Sequence, residues 1–356
     1  MTSAVFLFQP IDFFMTNTNL STNTIIVSYK DMEKLFYDLL IKYGFSTEKA
    51  IICAQTFAEN SLDGVYTHGV NRFPRFIQNI KEGHIIINNE PVLTGSFGAV
   101  EQWNGQSGPG ILNAFFCTDR ATTIAEQNGI GCLAISHTNH WMRGGTYGWK
   151  AAKKGFAFIC WTNTIANMPA WGAKDSRLGN NPLIVAIPYK DEAIVLDMAM
   201  SQFSYGKMEL KKLQGEQLPV PGGFDENGEL TTNPEKILQT NRSLPIGYWK
   251  GSGLALLLDI LATILSGGLS THEISRQKAE INVSQVFIAI NISKLHNSSA
   301  IAQALEQIIQ DYKNAEPDKN SGTVRYPGEG VVKTRKENLE KGIPVTKQIW
   351  NEIMSL

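Results

Sequence analysis

Gly129-Ile-Gly131-Cys-Leu-Ala134 reads G-x-G-x-x-A, the spacing of a dinucleotide-binding turn, and its surroundings decide the fold. Such a turn binds pyrophosphate when a strand precedes it and a helix follows, so that N–H groups at the helix N-terminus face the anion. Here the order is inverted. A helical run at about Gly110–Asn128 comes first, and a β-prone run at Cys132–Ser136 follows. Gly129 is therefore expected to end the helix in a left-handed conformation rather than to cradle phosphate. No second match and no G-x-x-x-x-G-K-[ST] occurs in the chain. Any dinucleotide this protein uses is expected on a fold other than Rossmann.

Outward from that turn the alternation continues. A helix near Tyr147–Lys154 precedes a strand at Phe156–Thr162, and Leu183–Ile187 and Ala193–Met198 read as further strands. A long apolar helix at Gly253–Ser266 precedes a strand at Val286–Ile292, and Ser299–Lys313 is helical again. The pattern predicts an α/β sandwich over residues 101–309. Upstream, Met32, Leu35, Phe36, Leu39, Leu40 and Tyr43 make one helical stripe ended by Gly44. Ser46 caps a second helix whose buried side is Ala50, Ile51, Ala54, Phe57, Ala58 and Leu62. Residues 26–100, joined by about 310–356, are thus expected to form a helical lobe beside the sheet. The Gly-, Pro- and Asn-rich stretch Gln214–Arg242 reads as a long surface excursion.

Composition narrows the classes of function. The 356 residues carry Lys+Arg 32 against Asp+Glu 33, a formal net charge of −1, which argues against a nucleic-acid or membrane partner. Cys53, Cys117, Cys132 and Cys160 show no metal spacing and sit in apolar or helical runs. Buried reduced thiols and a cytoplasmic setting are expected. Residues 1–25 lack a basic start and a continuous apolar stretch, so they read as a disordered extension or an over-long start, with Met15 an alternative first residue. The Gly253–Ser266 run is shorter than the roughly 20 residues of a bilayer span and contains Asp259, which fits a core or interface helix.

Three blocks carry the chemistry. Gly64-Val-Tyr-Thr-His68-Gly-Val-Asn-Arg72-Phe-Pro-Arg75 sets an imidazole beside two hydroxyls and ahead of two guanidiniums three residues apart. That is a proton-transfer group next to a carboxylate clamp, as reduction of a keto acid requires. The competing reading is a surface turn with ordinary salt bridges. Asn139-His140-Trp-Met-Arg143-Gly-Gly145 follows a strand end, where glycines let a ligand approach the backbone. His137 lies three residues before His140, yet no third ligand follows at metal spacing, and no metal is expected. Gly247-Tyr-Trp249-Lys250-Gly-Ser-Gly253 offers a cation for phosphate or ribose, against a solvated lysine on a turn. Asp197 closes an apolar strand, as an active-site carboxylate or as a helix cap. A non-catalytic nucleotide- or carbohydrate-binding protein would explain the glycine-flanked aromatics without any proton donor.

With Gly179-Asn-Asn-Pro182 and Leu196-Asp-Met198 added, these blocks resemble the malate/L-lactate dehydrogenase family of the second type, also called malate/L-sulfolactate dehydrogenase-like. Similarity runs from about Val27 to the C-terminus. The resemblance implies a non-Rossmann three-layer α/β sandwich with a mixed sheet, an NAD(P)-dependent oxidoreductase and a homodimer. By position, His68 matches the family's catalytic proton donor. Ala193, Ile194, Val195, Leu196, Asp197, Met198 and Ala199 match its first NAD-contact segment, Trp249 and Lys250 its second, and Gly328, Glu329 and Gly330 its third. The longer strings are nearest to members that reduce the C2 carbonyl of a 2,3-diketo sugar acid. Reduction of another 2-keto, imino or ureido acid is the alternative. In the sugar-acid reading Arg72 or Arg75 holds the substrate carboxylate, and His140 or Arg143 the sugar hydroxyls. Two positions depart from the pattern: Gly179-Asn-Asn replaces Gly-Thr-Asn, and Gly330 stands where an acidic residue is expected. NADH is expected over NADPH, because Glu329 suits a ribose 2′-hydroxyl and repels a 2′-phosphate, and Lys250 is the lone cation in these segments.

Overall fold

The computed structural model describes residues 23–296, 298–317 and 323–356. The disordered extension expected at the N-terminus therefore lies almost wholly outside the described residues. Seven strands form one mixed sheet. Their spatial order is Val92–Phe97, Val100–Asn104, Ile130–Thr138, Val283–Asn291, Phe156–Thr162, Leu183–Tyr189 and Glu192–Met198. Val100–Asn104 and Ile130–Thr138 run parallel, and every other neighbouring pair is antiparallel. A Rossmann sheet is mostly parallel, so this is the non-Rossmann sandwich. The first strand precedes the boundary expected at residue 100, and its mostly exposed side chains explain its weak signal.

Gly129 does what the inverted context demands. It has φ +81° in the left-handed region, and its N–H donates to Ala125 O to end the Gly110–Asn128 helix. A Cβ on Gly131 would lie 2.2 Å from Ala121 O, so this glycine serves close packing of helix on strand.

Strand residues alternate between two cores, as a period of two requires. On one face Leu133, Ile135, Phe158 and Phe287 pack under the helices Gly110–Asn128 and Gly145–Lys153. On the other, Ala134, Trp161 and Val286 meet Ala255, Leu258 and Ala262 of the helix Trp249–Ser266. That helix begins four residues before the apolar run and is long and apolar enough, by length and composition alone, to cross a membrane. Its inner face is committed to the sheet, and Asp259 accepts hydrogen bonds from Asn163 Nδ2 and Thr271 N, both at 2.9 Å. Its outer face leaves Leu256, Leu257, Ile260 and Ile264 exposed.

A third core joins the chain ends. The helices Tyr29–Lys42, Thr47–Leu62 and Phe73–Lys81 bury Phe36, Phe57 and Phe73 together with Ile343, Val345 and Ile353. Phe36 stacks on Phe73 at 4.2 Å, and Phe57 meets Phe73 edge-on at 5.1 Å. Thr24–Val27 pairs antiparallel with Ile343–Thr346. The stretch read as a surface excursion packs Leu218 and Ile237 onto Phe203 and Met208 just before it, a small core between the helices Tyr205–Gln214 and Pro234–Thr240.

Candidate active site

His68 ends a single 3-10 turn, Tyr66–His68, folded back over the Thr47–Leu62 helix. Two helix side chains pin it there: Asn60 Nδ2 donates to His68 O at 3.0 Å, and Ser61 Oγ accepts from Val70 N at 2.8 Å. Gly69 is forced by this approach, since a Cβ would lie 2.2 Å from Ser61 Oγ. His140 arrives from the end of Ile130–Thr138. The preceding Asn139 locks the loop by donating to Ser107 O and Gly108 O. The two imidazoles, 72 positions apart in sequence, stack with centroids 5.6 Å apart and planes 12° from parallel.

Protonation follows from the surroundings. Met142, at φ +65°, turns its N–H onto His140 Nδ1 at 3.0 Å. Nδ1 is thereby an acceptor, which leaves the proton of a neutral ring on Nε2. Thr67 Oγ1 lies 3.2 Å from His68 Nδ1. Burial, then the Arg72 and Arg143 guanidiniums, push His68 down to about 3. Burial, then Arg72 and His68, hold His140 well below the usual histidine range. Both rings are neutral at pH 7 in the free protein. The charges acting on His68 are cations, and among the described residues it pairs with no carboxylate.

Arg72, Arg75 and Asn79 recur along one face of the Phe73–Lys81 helix and its N-cap, and with His140 and Met142 they line a partly open cavity. Among the described residues neither arginine forms an ion pair. Glu280 also lines this cavity, from the loop before Val283–Asn291.

Arg143 does not line it. Its guanidinium is buried against Asp63 Oδ2, sits 3.8 Å from Asp197 Oδ2, and lies 5.0 Å from the Trp149 ring. Asp63 also accepts from Arg335 Nε at 2.6 Å and Nη2 at 3.1 Å. The glycines after Arg143 serve packing: a Cβ on Gly144 would lie 2.2 Å from Ile184 Cδ1, and one on Gly145 2.8 Å from Asp197 Oδ2. Asp197 accepts from Gly145 N at 2.8 Å, capping the Gly145–Lys153 helix from the strand end. Burial raises its carboxyl, with Arg143 opposing.

Two of the three cofactor-matched segments touch. Val195 N donates to Pro327 O at 3.1 Å. Gly328, at φ +90°, would carry a Cβ 3.1 Å from Trp149 and 3.2 Å from Val195 N, so a side chain there is strained and crowds both neighbours. Glu329 Oε1 pairs with Lys313 Nζ, and its buried Oε2 has no hydrogen-bond partner among the described residues. That free acceptor beside a glycine cradle fits a ribose hydroxyl. Trp249 and Lys250 open the Trp249–Ser266 helix; Trp249 is 64% exposed, and no hydrogen bond, ion pair or ring contact links either residue to the other two segments. No group of three metal-ligating side chains occurs among the described residues.

Sequence reasoning missed Asp63, Asn79, Glu280 and Arg335. Asn79 alone carries a signal, seven residues after Arg72 on one helical face.

The sequence model of the malate/L-lactate dehydrogenase family matches residues 27–354. A 2,3-diketo-L-gulonate reductase of Klebsiella pneumoniae (strain 342) is 46% identical over 331 residues, 93% of this chain and 99% of the relative. The protein of the same name from Salmonella enteritidis PT4 (strain P125109) matches to the same extent. Among solved structures, sulfolactate dehydrogenase from Methanocaldococcus jannaschii aligns with a TM-score of 0.84 at 27% identity, covering 93% of this chain and 96% of that one. Malate dehydrogenase from Entamoeba histolytica, at 23% identity, shares the fold with a TM-score of 0.89 over 93% and 97%.

Proposed function

Because the chain belongs to the malate/L-lactate dehydrogenase family and is an oxidoreductase of that kind, we propose that it reduces 2,3-diketo-L-gulonate to 3-dehydro-L-gulonate. The single observation that carries this reading is the cavity where two guanidiniums, without an ion pair among the described residues, meet His140, on whose ring His68 stacks. Arg72 and Arg75 hold the substrate carboxylate, and a bound carboxylate offsets the Arg72 charge, which adds to burial in depressing both rings. His68 then gives a proton to the alkoxide forming at C2, while His140, its proton on Nε2, donates a hydrogen bond to a substrate oxygen. Arg143, engaged with Asp63, positions the loop rather than touching hydroxyls.

Bound NADH supplies the hydride. The strand end Ala193–Ala199 and the Gly328-Glu329-Gly330 turn are its seat, with Trp249 and Lys250 closing on it, and Glu329 Oε2 favours NADH over NADPH. We place the enzyme in the cytoplasm as a homodimer. The exposed apolar face of the Trp249–Ser266 helix supports a second copy as its cover.

Following NADH and NADPH oxidation with 2,3-diketo-L-gulonate tests this reading. Turnover with a higher kcat/KM for NADH is expected, and none with either cofactor sinks it. His68→Ala keeps NADH affinity and loses single-turnover hydride transfer, by roughly 10²–10⁴-fold if proton donation is its role. Transfer at the wild-type rate would remove His68 from the chemistry.

A further inference from the structure

Besides Arg72 and Arg75, the cavity is lined by Asn79 and Glu280, which belong to no matched cofactor or catalytic segment. Asn79 Oδ1 is buried and accepts no hydrogen bond among the described residues. A buried amide oxygen left unmatched is destabilising unless a ligand donor reaches it. Glu280 forms no ion pair among the described residues, although two guanidiniums line the same cavity. One of its oxygens is used, accepting from Ile165 N at 3.1 Å, which anchors the carboxylate. Its other oxygen remains an acceptor.

We propose that Glu280 and Asn79 are specificity-determining residues that receive an uncharged, hydroxylated substrate tail and turn away a tail ending in a second anion. The inference rests on the sugar-acid reading above. Hydroxyls of such a tail donate to Glu280 and Asn79. A terminal carboxylate or sulfonate offers no donor to either acceptor and meets the fixed charge of Glu280. Selection then comes from repulsion as much as attraction. Malate and sulfolactate, for which two structural neighbours are named, each carry a second anionic group. The charge that Glu280 brings to the cavity lining is what would set this chain apart from proteins of that fold whose substrates carry two anions.

L-Gulonate and glucarate test the idea, because both are hydroxylated six-carbon acids and the second ends in an extra carboxylate. Calorimetric titration of the NADH-loaded protein is expected to favour gulonate over glucarate by on the order of 10²-fold, the scale of a like-charge clash at a binding surface. Glu280→Gln keeps an acceptor for Ile165 N and removes the charge, so the ratio is expected to fall to within about threefold. Asn79→Ala weakens gulonate by roughly tenfold and leaves lactate, which has no hydroxylated tail, unchanged. An unchanged gulonate-to-glucarate ratio in Glu280→Gln overturns the inference, as does a wild-type protein that binds neither acid. Wild-type turnover of 2,3-diketo-L-gulonate, measured alongside, separates the two claims. Turnover without discrimination removes this inference alone, and Glu280-dependent discrimination without turnover removes only the assigned substrate.

Discussion

At the scale of single residues, the protonation of His68 decides how activity depends on pH. In the free protein the ring stays neutral down to about pH 3. If the imidazolium gives up the proton, the reactive fraction grows about tenfold for each pH unit of acidification above that value. Reductive kcat/KM, which reports the free enzyme, is expected to climb steadily from pH 8 to pH 5 without a plateau. A carboxylate seated on Arg72 lifts the ring's affinity for protons, so kcat levels off at a higher pH than kcat/KM. Steady-state profiles at saturating NADH check both signs, and a flat kcat/KM would mean that the proton comes from elsewhere. His68 and His140 were legible because each is flanked by glycine or asparagine at the edge of a periodic run. Glu280 was not, since Arg276-Gln-Lys-Ala-Glu280 has the composition of a solvated surface turn. Asp63 was hidden for a different reason. A helix-end aspartate looks like ordinary capping until two arginines from distant elements are seen to converge on it.

Elements are where those arginines matter. Asp63 closes the Thr47–Leu62 helix, Arg143 precedes the Gly145–Lys153 helix, and Arg335 belongs to the Glu329–Lys341 helix whose head carries the Gly328 turn. The Arg335–Asp63–Arg143 chain, with Asp197 at its far end, ties the histidine loop to both touching segments of the proposed cofactor seat. Arg335 is partly exposed, so its pair is discounted for solvent, and Arg335→Ala is expected to cost about 1 kcal/mol and a few degrees of Tm. Its sharper signature is kinetic: KM for NADH rises several-fold while KM for the keto acid stays within about twofold. Equal changes in both would show that Arg335 supports the fold and nothing more. Element positions were largely readable from periodicity and caps, the 110–128 helix and 156–162 strand to the residue. Strand order was not. The central strand, Val283–Asn291, enters between two strands made more than 120 residues earlier, and apolar runs carry no record of their neighbours.

For the whole molecule, the proposed homodimer rests on the exposed face of the Trp249–Ser266 helix. Leu257 and Ile264 are 56% and 63% exposed on a helix whose other side is committed to the sheet. Placing Glu at both positions is expected to give a folded monomer where the parent sediments as a dimer, because two charges buried at a mutual face are far costlier than the same charges in water. A parent protein that sediments as a monomer would refute the assignment of this face. The pairing of Thr24–Val27 with Ile343–Thr346 has a consequence for how the protein is born. At a synthesis rate of about 5–20 residues per second, the first strand waits roughly 15–60 s for its partner to be translated. Phe36, Phe57 and Phe73 are made early, yet Ile343, Val345 and Ile353, which complete their core, emerge last. The nascent chain therefore carries an unfinished aromatic surface through most of elongation, and that interval is when ribosome-associated chaperones have something to hold.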